Sequence, residues 1–178
     1  MVHKLSLQQR VVRRPPTRRS HLSATHAVRA AMPADAGDIA LLVGTFAEEG
    51  LLLPRTTEEI EAAIDDFVVV VDRHERVCGC AALHSYSPSL AEVASVAVAR
   101  EAHGAGLGGL VVRAVEAVAR RRGHREVFAV TLADGFFDSL GYDTADLTWY
   151  PEKLARYEQL ADRGVRVVEK NCVRKLLV

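Results

Sequence analysis

Apolar positions along the chain switch between a helical rhythm and continuous strand-like runs. Ile39, Leu42, Val43 and Phe46 recur at helical spacing behind Pro33 and Asp35, residues suited to a helix start. Thr56 with Glu59 three residues on forms a capping box, which predicts a second helix ending near Ile64. Runs at 67–72, 77–85 and 90–98 predict three strands, the first two flanking a turn at 72–76 and the third set off by Ser87, Pro88 and Ser89. Leu107, Leu110, Val111, Ala114, Val115, Val118 and Ala119 then mark a long helix that ends near Arg122 and Gly123. A strand at 127–131, a short helix at 136–140 stopped by Gly141, a helix over 151–163 closed by Gly164 and a strand-like run over 165–178 complete the order. A short strand at 28–31 precedes the first helix, and no internal repeat is visible.

At 178 residues and 49% apolar composition the chain is long enough to bury a full core as one domain. No stretch approaches the roughly 18 to 20 consecutive apolar residues of a membrane span, so no membrane partner is expected. Cys78, Cys80 and Cys172 form an odd set, and one residue between Cys78 and Cys80 is too few for a usual zinc pair. His74, His84 and His124 show no ligand spacing, and no metal is expected. The cysteines read as reduced thiols in a cytoplasmic protein.

The net charge of zero hides an asymmetry. Lys4, Arg10, Arg13, Arg14, Arg18, Arg19 and Arg29 precede the first acid, leaving 16 basic against 23 acidic residues in the remainder. Residues 1–25, basic and rich in Pro, Ser, Thr and Gln, are expected to be a disordered leader ahead of a folded domain at 26–178. A solvated tail, an organelle transit peptide and a nucleic-acid arm all fit that composition. The acidic body and the absence of interleaved aromatics speak against nucleic acid.

The most distinctive stretch joins the third predicted strand to the long helix: Val96, Ala97, Val98, Ala99, Arg100, Glu101, Ala102, His103, Gly104, Ala105, Gly106, Leu107, Gly108, Gly109. Four glycines within six positions stand where a helix begins, and there unpaired N–H groups and the helix dipole favour an anion. Lacking Cβ atoms, they let the backbone take positive φ and approach a pyrophosphate. A P-loop is excluded because no Lys-Ser/Thr follows Gly109. A dinucleotide fold would put such glycines after the first strand of its βαβ unit, whereas three strand-like runs come first here.

His103-Gly104-Ala105-Gly106-Leu107-Gly108 resembles the pyrophosphate loop of the GNAT acyltransferases, in which Gln or Arg is followed by two residues, Gly, one residue, and Gly or Ala. His103 stands in the Gln/Arg place. Within that superfamily the chain is most similar to the acetyltransferase domain of N-acetylglutamate synthases. The resemblance lies in Gly50-Leu51-Leu52-Leu53-Pro54-Arg55-Thr56, in Cys80-Ala81-Ala82-Leu83 with Ala91 to Val98, and in Thr131, Phe136 to Tyr142 and Pro151-Glu152-Lys153. It covers roughly residues 28–178 and implies an α/β GNAT fold, a mixed, mostly antiparallel central sheet flanked by helices. It further implies acetyl-CoA as co-substrate, held by Ser95, Val96, Ala97, Val98, His103, Gly104, Ala105, Gly106, Leu107, Gly108 and Gly109, and glutamate as acceptor at the first step of arginine biosynthesis. The kinase-like domain of long forms has no counterpart in these residues.

Transfer to an amine needs a base for the ammonium proton, a polarised thioester carbonyl and a donor for the departing thiolate. Glu92, at the start of the strand expected to hold the co-substrate, is the base candidate and matches the family's catalytic Glu. The residues 96–98 backbone would supply the carbonyl's donor. Phe137 stands where many relatives carry an acidic Tyr, so Thr131, which matches the family's strand-end Ser or Thr, is the donor candidate. Leu53 and Arg55 are the substrate-binding candidates, since a guanidinium fork grips a carboxylate in two parallel bonds. Leu132-Ala133-Asp134 lacks an Arg that the family often has there, and Arg174 or Lys175 are candidates to replace it. Three alternatives stay open: another amine (a peptide N-terminus, a polyamine, an aminoglycoside), a non-catalytic acyl-CoA sensor, and, in assembly, a homodimer.

Overall fold

The computed structural model describes residues 26–177; the expected leader at 1–25 lies outside them. Seven strands form one sheet in the order β1-β2-β3-β4-β5-β7-β6, flanked by helices, so the expected α/β architecture is present. The strands are β1 (His26–Ala30), β2 (Phe67–Asp72), β3 (Val77–Ser85), β4 (Leu90–Val98), β5 (Glu126–Thr131), β6 (Asp143–Ala145) and β7 (Asn171–Leu176). All neighbours are antiparallel except β4 and β5.

Helix α3 (Leu107–Arg121) lays Leu107, Val111, Val112, Val115 and Ala119 on one face of the sheet against Val70, Leu83, Val93 and Val127. On the opposite face α1 (Ala36–Glu48) and α2 (Thr57–Ala62) bring Ile39, Val43 and Ile60 onto Val69, Cys80 and Ala97. The predicted capping box starts α2: Thr56 Oγ1 accepts from Glu59 N–H at 3.2 Å, and Glu59 accepts from Thr56 N–H at 3.0 Å. A third cluster stacks Phe128 on Tyr150 at 4.0 Å between ring centres, just before α5 (Pro151–Asp162).

One irregularity shapes the molecule. Between the pairs Cys80–Ala97 and Ala82–Ala94, β3 contributes one residue and β4 two, so β4 carries a bulge at Ser95, whose φ is +52°. The extra residue reverses the alternation. Ala91 and Val93 face α3 before the bulge; Val96 and Val98 do so after it, while Ala97 packs on the other side. On its other edge β4 pairs with β5 only at Leu90, Ala91 and Glu92, opposite Glu126, Val127 and Phe128. Beyond those three pairs a seam opens between the strands.

Three elements depart most from expectation. Regular pairing of the last strand begins at Asn171, not at 165, because Val168 belongs to a coil lying against Gly50; a Cβ there would stand 3.5 Å from its methyl. The short helix α4 spans Asp134–Asp138, two residues earlier than its apolar pair suggests. Three-residue β6, which no periodicity announces, pairs with β7.

Candidate active site

The open seam leads into a pocket whose floor is β4 and β5, with Val96 and Thr131 on its two sides. Its walls are the loop after α1, helix α4, one face of α5 and the coil before β7.

At the C-terminal mouth of the seam the chain leaves β4 through a short turn (Arg100–Ala102), passes His103 and enters α3. Gly104 and Gly106 have φ of +78° and +77°, and Gly106 is the residue that caps α3. Both are exposed, with nothing within 4 Å of where a Cβ on Gly104 would stand. The first N–H groups of α3, from Leu107 to Gly109, precede its hydrogen-bond ladder, and no acid occupies the first turn. This is an anion cradle made of backbone, and it fits a pyrophosphate.

Members of the loop divide by what surrounds them. The Leu107 and Ala97 side chains are core residues, so only their backbones are available. The Ala97 carbonyl also faces β3, 3.2 Å from the place of a Gly79 Cβ. Gly108 corrects the simple expectation that every glycine makes room for a ligand. A Cβ there would lie 3.2 Å from the Phe136 ring, so its bareness seats α4 against α3. At Gly109 the near neighbour is the mobile end of Arg113. The Val98 carbonyl points into the seam and accepts from His103 Nε2–H at 2.8 Å when that nitrogen carries the proton. The end of α1 braces this corner: Arg100 pairs with Glu49 and lies over the Phe46 ring, while the N–H groups of Leu51 and Leu52 donate to the Phe46 carbonyl.

Deeper in, Glu92 is 3% exposed. Its Oε1 accepts from Lys153 Nζ at 2.6 Å and its Oε2 from the Tyr86 hydroxyl at 3.0 Å. Burial lowers the affinity of Lys153 for its proton, and contact with Glu92 opposes that shift. Burial, reinforced by the Glu92 charge, raises the Tyr86 phenol well above its usual value. Arg55 lines the same pocket from the loop, packed over Phe67; burial and the like charge of Arg156 push its guanidinium down. Arg156 and Tyr157 follow Lys153 on α5 at helical spacing, and Lys170, which donates to the Leu51 carbonyl at 2.7 Å, closes the rim. Burial also pushes the Lys170 ammonium down. Four cations therefore face one carboxylate.

The candidates Glu92, Ser95, Val96, Thr131, Leu53 and Arg55 all line this one cavity, although they come from three separate stretches of chain. Thr131 Oγ1 accepts from Ala133 N–H at 2.9 Å, which leaves its proton free to donate. Phe137 is a core residue, edge-on to Phe136 and Tyr142. Arg174 and Lys175 are not in the pocket, which overturns them as replacements for the missing arginine. Lys175 is held by Glu116 and the Leu140 carbonyl, and Arg174 lies over Trp149. Lys153, Arg156, Tyr157 and Lys170 line the pocket instead. The only prior sign of them was the stretch Pro151-Glu152-Lys153 and a helical i, i+3, i+4 spacing. Among the described residues no group of His, Cys, Asp or Glu is placed to hold a metal, and no helix is long and apolar enough to cross a membrane.

The Acetyltransferase (GNAT) family model matches residues 41–142, from α1 through the seam to the end of α4. An uncharacterized N-acetyltransferase of Chlorobaculum tepidum is 40% identical over 129 residues, covering 72% of this chain and 83% of that protein. The amino-acid acetyltransferase of Pectobacterium atrosepticum is 34% identical over 71% of this chain, which spans only 29% of that longer protein. The structure of N-acetylglutamate synthase from Neisseria gonorrhoeae, solved with coenzyme A and N-acetyl-glutamate, superposes with a TM-score of 0.75 at 27% identity. It covers 88% of this chain and 36% of that one. With the bulged β4, the open seam and the glycine cradle in family order, the chain belongs to the GNAT family of N-acetyltransferases.

Proposed function

We propose that the domain transfers the acetyl group of acetyl-CoA to the α-amine of glutamate, the first step of arginine synthesis, in the cytoplasm. The observation that carries this reading is the charge of the acceptor pocket: Arg55, Lys153, Arg156 and Lys170 surround one carboxylate, Glu92. An acceptor with two carboxylates offsets most of that excess. Polyamines and aminoglycosides, which are polycations, would be repelled by it. The relatives named amino-acid acetyltransferase and N-acetylglutamate synthase support the same acceptor.

In this reading the Gly104 to Gly109 backbone and the α3 N-terminus take the pyrophosphate, and the seam edge of β4 takes the pantetheine arm. Arg55, Arg156 and Lys170 grip the acceptor carboxylates. Glu92 removes a proton from the acceptor ammonium, and the freed nitrogen attacks the thioester carbon, whose oxygen is polarised by a β4 N–H. The C–N bond forms and the C–S bond breaks, with its electron pair leaving on sulfur. Thr131 donates a hydrogen bond to that thiolate. Nitrogen loses two protons in all; one ends on the thiol and one is released to solvent.

Thiol release from acetyl-CoA, followed across the twenty amino acids, tests the proposal. Turnover with glutamate above all others is expected, and turnover with none of the acidic ones overturns it. Tight acetyl-CoA binding without turnover of any amine would instead favour a sensor.

A further inference from the structure

Glu92 and Lys153 are 5% and 4% exposed in their side chains and 2.6 Å apart. A buried ion pair rarely adds stability over a well-packed apolar pair of the same size, because both charges must be stripped of water. This pair lies in the wall of the acceptor pocket and not in the core clusters of the sheet. Tyr86 completes the arrangement. Its ring is wedged edge-on to His84 at 4.7 Å and beside Phe128 at 5.7 Å, which aims its hydroxyl at the second Glu92 oxygen. Lys153 is steered in the same way by the Tyr157 ring, 4.6 Å from its Nζ.

We propose that Lys153 and Tyr86 are positioning residues for Glu92, each holding one carboxylate oxygen so that the remaining lone pairs are presented to the acceptor amine. The inference rests on Glu92 being the base. Every element packed against this carboxylate contributes a charged or titratable group: Arg55 from the loop, His84 and Tyr86 from β3 and its end, Lys153, Arg156 and Tyr157 from α5, Lys170 and Cys172 from the last crossing. Of these Lys153 alone forms an ion pair with Glu92.

The test compares pH profiles of kcat/KM for wild type, Lys153→Met, Lys153→Arg, Tyr86→Phe and Glu92→Gln. Alongside them, carbon-13 carboxyl resonances of the glutamates are titrated by NMR without any acceptor. Lys153→Met should move the acid limb up, so that activity lost at neutral pH returns in alkali. Lys153→Arg should keep the limb near its wild-type place. Tyr86→Phe should move it the same way by less, lowering kcat with little change in acceptor KM. Should Lys153→Met fail to fold with Glu92 left unpaired, Tyr86→Phe and the NMR titration decide alone. Uniform loss at every pH with an unmoved limb and an unmoved Glu92 resonance overturns the proposal. An acid limb that survives Glu92→Gln overturns the base assignment itself. The NMR arm is read whatever amine proves to be the acceptor.

Discussion

The two halves of the site are built from different materials. In the proposed reading the coenzyme half is backbone: two left-handed glycines, the first turn of α3 and the unpaired edge of β4. The acceptor half in the same reading is side chain: Arg55, Glu92, Lys153, Arg156 and Lys170, drawn from a loop, a strand, a helix and a coil. A backbone site recognises what every family member shares and tolerates side-chain change. A side-chain site can be respecified one residue at a time. The division explains how His103 can stand where relatives carry Gln or Arg without dissolving the cradle.

Substitutions in the two halves should therefore behave differently. The largest effect is expected from Glu92→Gln, with kcat in the thiol-release assay lower by about 10²–10⁴-fold while calorimetry gives an unchanged coenzyme A affinity. Next comes Arg55→Ala. Loss of a charge-assisted bond of about 1.5–3 kcal/mol should raise the glutamate KM roughly 10- to 100-fold, and Arg55→Lys should recover little because an ammonium lacks the fork. Gly106→Ala should weaken coenzyme A binding by about tenfold, since a residue with a Cβ pays roughly 1–2 kcal/mol at the φ of +77° seen there. His103→Gln should alter that affinity least, by about one neutral hydrogen bond, 0.5–1.5 kcal/mol. If His103→Gln proved more damaging than Gly106→Ala, the cradle would be a side-chain site after all and the contrast would fail.

The same division governs what could be read from the residues in order. Strands β2 to β5 and helix α3 announce themselves by continuous runs and helical periodicity, and the cradle by its local glycine spacing. Glu92, Thr131 and Arg55 were found through resemblance, and they do converge on one cavity. Of Lys153, Arg156 and Lys170 only Lys153 falls in a stretch that carries the resemblance, and none of them reads as a site residue. Their signal is convergence in space across the last thirty residues, and a lysine on an amphipathic helix ordinarily faces water. The coil at 165–170 looks like strand in the sequence because its valines are apolar for another reason: Val168 packs beside Gly50 and Lys170 fastens the coil to Leu51. Arg174 and Lys175 show the converse. Their charges look available in the sequence, yet Glu116, Leu140 and Trp149 occupy them.

The seam between β4 and β5 also bears on how the domain opens. Only three residue pairs close it, so β4 beyond the bulge is zipped to the sheet on one flank alone, by β3. Amide protons along that free flank, Val98 among them, should exchange with solvent faster than those of β2, which has partners on both sides. Saturation with coenzyme A should slow them selectively, turning an open flank inside the sheet into part of its more persistent structure.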